Sequence, residues 1–290
     1  MNHNDNVQTS SPLQIVLLGI VALLILGAGL YLAPRWVPEP KIGVIRLNYD
    51  IFNLSAAEIT QQLAYARTHD DIKAIVLIIN SPGGSASYSE ELFLDVLETR
   101  NNMPVVASVD LLAASGAYYM AVGADEIYAK PTSFVGSIGV ISSFPSPVFI
   151  DEQYLTTGPY KLFGGTRDGA IRQVEIAKFT FLEAVQLGRG DRLTASLSEL
   201  SRAEIYSGVQ AERMGMIDGL LSTDAAIRRA AELAGLQDYE VVELYPLTFE
   251  TEAETPYFNY QPAIIDTTKL WAPPRNLAPG LYYLHIEGTQ

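Results

Sequence analysis

The feature that most constrains the fold of this chain is a nearly unbroken aliphatic run from Ile72 to Asn80, with the sequence IKAIVLIIN. A strand of this composition has no polar face, so both of its faces must be covered, as in parallel sheets flanked by helices. Strand and helix patterns alternate around it: KIGVIRLNYDI and LSAAEITQQLAYARTHD come before it, and SYSEELFLDVLETRNN and VVASV come after it. This order predicts an α/β domain of repeated β-α-β units with right-handed crossovers.

A second group of elements follows this core. The sequence predicts two short strands in DEIYAKPTSFVGSIGVIS, a long amphipathic helix in AIRQVEIAKFTFLEAVQLGRGD, and a helix, turn and helix in SLSELSRAEIYSGVQAERMGMID. DAAIRRAAELAG predicts one more helix and YEVVELYPL a final strand. From about Thr248 the chain is rich in proline, tyrosine and acidic residues and has little periodicity. We therefore predict one domain over 41–247 and an irregular C-terminal arm over 248–290.

The N-terminal region contains an uncharged run from Leu13 to Ala33. At ~1.5 Å per residue its length matches the roughly 30 Å hydrocarbon core of a bilayer. We predict a single transmembrane anchor over 13–34, after a polar tail (1–12) and before a proline-stiffened linker (35–40). A buried core helix and a cleaved signal peptide are the alternatives, but the run is long for a signal peptide and no Lys or Arg precedes it.

Composition and charge exclude several classes of site. The net charge of −14 leaves no basic stripe for phosphates, so we expect no nucleic-acid partner. The chain has no cysteine, and none of its three histidines (His3, His69, His285) neighbours a serine-bearing motif in sequence. This disfavours a Ser-His-Asp triad and a histidine-rich zinc centre. Without a phosphate-binding loop or a metal-ligand cluster in the sequence, we expect neither a cofactor nor a metal.

A serine stands at a position suited to nucleophilic catalysis. In VVASVDLLAASGAYYMAV we predict a strand, a brief DLLAA turn, and a helix that opens at Ser115 and Gly116. The N–H groups and dipole of a helix N-terminus favour developing negative charge, although serine is also a common helix cap. The segment 80–84, NSPGG, follows the aliphatic strand, so both motifs lie at the carboxyl ends of neighbouring parallel strands. Its two glycines either present bare N–H groups to a substrate or form a plain turn.

Four separated motifs carry a resemblance to a known family. They are INSPGGSASYSEEL, AASGAYYMAVGADEIYA, GSIGV and GPYK. In this order and spacing they resemble the signal peptide peptidase A family of membrane serine proteases, which share the Clp protease/crotonase-like fold. The resemblance runs from about Lys41 to Gly219 and implies that fold for the domain.

The resemblance also implies roles for individual residues at the site. In order of directness these are Ser115 as nucleophile, Lys161 as general base, Gly84 as oxyanion-hole N–H donor, Gly83 as support of that turn, Gly116 as a second donor, and Ser137 as the residue that orients the lysine. Tyr118, Tyr119 and Met120 either line this site or pack in the core.

The assignment of the lysine also has a physical basis. A lysine acts as a base only where desolvation lowers its pKa from ~10.4 to about 7–8. TTGPYKLFGG places apolar and aromatic residues around Lys161, whereas Lys178 shares a helix face with Glu175 and is expected to form a solvated ion pair. A surface lysine in a loop is the alternative for Lys161. Its motif continues as LFGGTRDGAIRQ, where many family members have a proline-containing acidic segment.

The resemblance predicts a membrane-anchored serine endopeptidase that cleaves peptides such as remnant signal peptides. It implies a single-pass protein of the cell membrane, lipid contact through 13–34, and a homo-oligomeric ring in which one subunit's lysine serves its neighbour's serine. It also implies an extracytoplasmic domain, whereas Arg35, Lys41 and Arg46, which follow the span, would favour the cytoplasm. Two alternatives remain: a catalytically inactive membrane-anchored scaffold of the same fold, and a crotonase-type acyl-CoA enzyme, against which the membrane span and Ser115 both count.

Overall fold

A computed structural model describes residues 12–36, 39–143, 157–158, 160–161 and 164–251. The chain divides into two units, Met1–Leu244 and Tyr245–Gln290. The predicted N-terminal tail, apart from its last residue, and the predicted C-terminal arm beyond Thr251 lie outside the described residues.

The helices of the described residues are α1 (Pro12–Trp36), α2 (Asn53–Thr68), α3 (Ala86–Arg100), α4 (Gly116–Ala121), α5 (Arg167–Arg189), α6 (Leu197–Leu200), α7 (Gly208–Arg213), α8 (Thr223–Leu233) and α9 (Leu244–Phe249), with a 3-10 turn at Gly190–Arg192. The strands are β1 (Lys41–Leu47), β2 (Ile72–Ser81), β3 (Val105–Ala114), β4 (Glu126–Ala129), β5 (Phe134–Gly136), β6 (Ile205–Ser207), β7 (Gly219–Leu220) and β8 (Glu240–Glu243).

The strands form one mixed sheet with the order β6-β5-β3-β2-β1-β8, and β4 lies beside β3 with β7 next to it. Every pairing is parallel except that of β5 with β6. The predicted α/β fold with a parallel β-α-β core is therefore confirmed. Because β2 and β3 are parallel neighbours, the segments that follow them emerge at the same edge of the sheet.

The aliphatic run in β2 is buried on both faces, as its composition requires. Ile75, Leu77 and Ile79 belong to the larger hydrophobic core, which also takes in the buried sides of α2, α3 and α4. The intervening Val76 and Ile78 belong to a second core, on which alanines of α8 pack. Burial of each such side chain contributes about 1.5–3 kcal/mol, so this central strand supplies much of the drive for folding.

Two local predictions were wrong, and a third was right only in part. DLLAA is not a turn, because β3 continues to Ala114, where its last residues pair with β5. Ile205–Ser207 is a strand and not part of a helix–turn–helix segment, because it pairs with β5 from the other side. YEVVELYPL contains only the four-residue strand β8, after which the chain turns into α9.

The apolar helix α1 extends over 25 residues. Within it, the window Pro12–Gly29 has a mean hydropathy of 2.3 and none of its residues is buried. It is the one helix in the described part of the chain that is long and apolar enough to cross a membrane. Its length and exposure fit a membrane anchor and not a core helix.

The packing of α5 against the end of α4 depends on Gly188. A Cβ on this buried residue would lie 2.0 Å from the carbonyl oxygen of Val122. We expect Gly188→Ala to lower the free energy of unfolding by about 1–3 kcal/mol, because the backbones of Gly188 and Val122 must move apart to admit the Cβ. This cost exceeds the gain from the better helix propensity of alanine. Chemical denaturation in detergent, followed by circular dichroism, measures this. Leu187→Ala, which alters an adjacent side chain that is 67% exposed, is the control; equal stability of the two variants would contradict the prediction.

Candidate active site

Ser115 occupies the sharp turn between β3 and α4. Its φ of +51° and ψ of −125° are values that L residues rarely adopt. Two backbone hydrogen bonds hold the turn: the Ser115 N–H donates to the Gly136 carbonyl oxygen (2.8 Å), and the Ser115 carbonyl oxygen accepts from the Tyr119 N–H (3.0 Å). The hydroxyl makes no capping hydrogen bond to α4, so the helix-cap alternative is excluded. The turn is thus held by backbone alone, and the hydroxyl is left available.

The glycine turn after β2 lies directly against this serine turn. Gly83 has a φ of +91°, and a Cβ on it would lie 2.5 Å from the Gly116 nitrogen and 2.9 Å from the Ser115 Cβ. A Cβ on Gly84 would lie 2.1 Å from the carbonyl oxygen of Ile51. These contacts require glycine at both positions, because no Cβ fits between Gly83 and the serine turn or between Gly84 and the backbone of Ile51.

The backbone N–H groups of the two turns differ in their partners. The Gly83 N–H donates to Ser81 Oγ at 3.1 Å. The N–H groups of Gly84 and Gly116 have no hydrogen-bond partner among the described residues. The two lie side by side, since a Cβ on Gly116 would be 3.3 Å from the Gly84 nitrogen. Two unpaired donors next to the Ser115 side chain are an arrangement that can bind an oxyanion.

Ser137 also has an unusual backbone, with a φ of +55°. It follows Gly136, whose carbonyl oxygen accepts the Ser115 N–H, and its own N–H donates to the Glu204 carbonyl oxygen at 2.8 Å. The half-buried Ser137 is thereby fixed close to the serine turn by strands β5 and β6.

These residues surround a cavity of about 630 Å³, which we call the Ser115 cavity. Five of the six predicted site residues line it: Ser115, Gly83, Gly84, Gly116 and Ser137. A cavity of this volume can hold several side chains of a peptide. The charged side chains on its wall are Asp50 and Lys178.

Tyr119 forms part of the wall of this cavity. Its ring stacks on Phe181, with centroids 4.6 Å apart and planes at 9°, and contacts Phe93 at 5.3 Å. Burial, together with the nearby carboxylates of Glu90 and Glu183, raises the pKa of Tyr119 to about 12. Tyr119 is therefore a neutral, rigid wall at physiological pH.

Tyr118, Met120 and His69 lie outside the Ser115 cavity. Tyr118 is fully buried and donates its hydroxyl to the Met216 carbonyl oxygen at 2.8 Å. Met120 is also fully buried, so both pack in the core and do not line the Ser115 cavity. His69 follows α2 and precedes β2, at the end of that strand opposite to the glycine turn. The other two histidines lie outside the described residues.

The two candidate lysines differ in their surroundings. Lys161 is exposed in a turn in which its N–H donates to the Gly158 carbonyl oxygen (3.2 Å), and it does not line the Ser115 cavity. Lys178 of α5 does line the cavity, and its Nζ lies 2.5 Å from Glu175 Oε2. The expected ion pair with Glu175 is therefore present, but its place on the cavity wall was missed. One feature of the sequence could have indicated this position. Lys178 lies three residues before Phe181 in the same helix and so shares a helix face with it, and Phe181 is a core residue that also lines the cavity.

Comparison with known families agrees with the fold and with these motifs. The family model described as Clp protease matches residues 41–135, and the one described as Peptidase family S49 matches residues 98–237. Residues 98–237 thus resemble peptidase family S49. The S49 match contains Ser115, Ser137 and Lys161, and the Clp protease match contains the glycine turn, so the resemblance in sequence is confirmed. The domain has the Clp protease-like fold.

Individual proteins that resemble this chain come from bacteria, archaea and plants. The chain is 30% identical over 187 residues to a protein of Methanocaldococcus jannaschii, and the match covers 60% of this chain and 60% of that protein. It is 29% identical over 203 residues to Protease 4 of Salmonella typhi, covering 65% of this chain and 33% of that protein. It is 26% identical over 208 residues to the chloroplastic serine protease SPPA of Arabidopsis thaliana, covering 67% of this chain and 31% of that protein. The match thus spans between a third and three fifths of these relatives' own lengths.

Proposed function

We propose that this protein is a membrane-anchored serine endopeptidase. The observation that carries the proposal is the Ser115 hydroxyl at a strained turn, in a cavity large enough for a peptide, beside the N–H groups of Gly84 and Gly116, which have no partner among the described residues. The strained φ of Ser115 favours the enzyme over a scaffold, because strained backbone positions cluster at active sites. An acyl-CoA enzyme would use the N–H groups but not the serine.

In the proposed reaction Ser115 Oγ attacks the scissile carbonyl carbon and loses its proton to a neutral lysine amine. The carbonyl oxygen becomes an oxyanion, which accepts hydrogen bonds from the N–H groups of Gly84 and Gly116. The lysine then gives its proton to the leaving amine, and water releases the acyl group from Ser115 in a second step. Gly83 supports the donor turn.

We assign the base to Lys161, oriented by Ser137. Lys161 is exposed in the single chain. In the proposed homo-oligomeric ring a neighbouring subunit would cover it, and this contact would remove water from its amine. Lys178 is the second candidate, because it lines the Ser115 cavity. Its amine is held in an ion pair with Glu175, however, and this pair would have to break before the amine could accept the proton of Ser115.

The proposed substrates are peptides near a membrane, such as remnant signal peptides. The apolar helix α1 supports the anchor, and the net charge of −14 argues against nucleic-acid partners. We propose an extracytoplasmic position for the domain in the cell membrane on the basis of the family resemblance.

A serine-directed acylating probe tests the dyad on the full chain in detergent. We expect the wild type to be labelled and Ser115→Ala not to be labelled. Lys161→Ala should slow labelling by about 10²–10³-fold, the usual contribution of a general base. Lys178→Ala and the surface control Lys73→Ala should label at nearly the wild-type rate. Slow labelling of Lys178→Ala alone would transfer the role to Lys178, and labelling of Ser115→Ala would defeat the proposal.

Mixed oligomers test the shared site. Ser115→Ala and Lys161→Ala chains, each inactive alone, are unfolded, mixed and reassembled together. If the lysine acts on a neighbour's serine, random mixing should restore activity at about a quarter of the sites. No recovery would mean that serine and lysine act within one chain.

A further inference from the structure

A second, smaller cavity of about 240 Å³ adjoins the Ser115 cavity, and we call it the Glu90 pocket. Ala86, Tyr119 and Ala177 line both cavities, so the two are neighbours that share the Tyr119 ring as a wall. The volume is comparable with that of one large amino-acid side chain. A peptide in the Ser115 cavity could therefore insert a side chain between α3 and α5.

The walls of the Glu90 pocket combine an apolar base with hydrogen-bond acceptors. Ile176 and the Tyr119 ring supply apolar surface, and Glu90, Gln173 and Thr180 supply polar groups. The Thr180 hydroxyl donates to the Ile176 carbonyl oxygen (3.1 Å), so it faces a ligand only as an acceptor. The exposed Glu90 carboxylate forms no ion pair or hydrogen bond with any described residue.

Two carboxylates lie near the Tyr119 ring that forms one wall of this pocket. Besides burial, the charges of Glu90 and Glu183 act on the Tyr119 hydroxyl and disfavour its ionisation. The nearest lysine on α5, Lys178, is already paired with Glu175. The carboxylate of Glu90 is thus available to a cation supplied by a ligand.

We propose that the Glu90 pocket is a substrate subsite that selects a long aliphatic side chain with a terminal cation, lysine or arginine. The aliphatic stem packs on Tyr119 and Ile176, and the cationic group reaches the Glu90 carboxylate. An uncharged side chain fills the apolar part but leaves Glu90 unpaired, and an acidic one is repelled. This inference rests on the proposed peptidase function and adds a substrate class to it.

The test uses three peptides that differ at one position, which is moved residue by residue across the scissile bond. That position holds lysine, norleucine (the same stem without the charge) or glutamate. For the wild-type full chain in detergent we expect kcat/KM for the lysine peptide to exceed that for the norleucine peptide by about 10-fold at one position, an advantage that falls with added salt. Glu90→Gln should reduce this ratio to about 1, and Glu90→Lys should favour the glutamate peptide. Glu98→Gln makes the same charge change on α3, roughly 12 Å further along the helix, and should keep the wild-type ratio.

Binding separates this inference from the proposed function. Fluorescence anisotropy of the labelled peptides with Ser115→Ala protein, with and without Glu90→Gln, measures the preference without cleavage. If nothing is cleaved but the lysine peptide binds better in a Glu90-dependent manner, the subsite stands and the peptidase proposal fails. If peptides are cleaved with equal efficiency for lysine and norleucine at every position, or if Glu90→Gln and Glu98→Gln behave alike, the subsite is overturned.

Discussion

Replacement of Ser115 by either alanine or glycine is expected to lower kcat/KM for peptide cleavage by at least about 10⁴-fold. The reason is that Ser115 adjoins the glycine turn whose Gly84 N–H, like that of Gly116, has no partner among the described residues, whereas Ser137, the other strained serine on the cavity wall, follows β5. Any residual rate would come from substrate binding and the oxyanion donors. Cleavage of a fluorogenic peptide by the purified full chain measures the loss, and retention of activity within tenfold would contradict the role of Ser115.

The two substitutions are expected to differ in stability. Alanine keeps the strain at φ +51°, whereas glycine adopts this conformation at little cost, so Ser115→Gly should raise the free energy of unfolding by about 1 kcal/mol while Ser115→Ala leaves it nearly unchanged. Ser198→Gly is the matched control, because Ser198 is an exposed residue of α6 with a negative φ. There glycine should destabilise by about 0.5–1 kcal/mol. If Ser115→Gly destabilised the protein as the control does, the turn would not be strained.

The fold could be predicted from sequence where local pattern and buried position agree. The run in β2 is buried on both faces, so its composition alone indicated a central parallel strand. The last residues of β3 and the short strand β6 could not be predicted in this way, because each depends on pairing with β5, a partner distant in sequence. Short edge strands contain too few residues for a period to be recognised.

Part of the candidate site could likewise be predicted from sequence, and part could not. Ser115 and the Gly83–Gly84 turn could be placed together, because they follow neighbouring parallel strands and topology alone brings such segments together. The lysine could not be placed, because the position of a loop residue relative to the sheet is set by tertiary contacts that leave no periodic signal. The sequence indicated that Lys178 pairs with Glu175 but not that this pair lies on the cavity wall.

The second large effect is expected at the buried ion pair between Arg189 and Asp218. The Arg189 side chain is fully buried and forms two hydrogen bonds with Asp218, at 2.7 and 2.9 Å, while its Nε donates to the Gly215 carbonyl oxygen at 2.9 Å. Asp218 also accepts the Ile127 N–H at 2.7 Å. Asp218→Asn should therefore lower the free energy of unfolding by about 3–5 kcal/mol, because it leaves the buried Arg189 guanidinium without a counter-charge. Arg189→Met should cost less, because Arg192 still pairs with Asp218 at 2.9 Å.

The cost of Asp218→Asn should also depend on pH with a defined sign. Burial opposes ionisation of Asp218, but the hydrogen bonds and charge of Arg189 outweigh it and lower the pKa of the carboxyl below its ordinary value of 3.8. A carboxyl whose pKa is lowered by folding stabilises the protein above its unfolded-state pKa, and this contribution disappears as pH falls through the folded-state pKa. The stability gap between wild type and Asp218→Asn should thus be full at pH 7 and shrink below about pH 4, measured by denaturant unfolding at each pH. Asp70→Asn, at an exposed turn, should stay within about 0.5 kcal/mol of wild type throughout. A gap for Asp218→Asn that widened in acid would show that burial, and not Arg189, dominates this carboxylate.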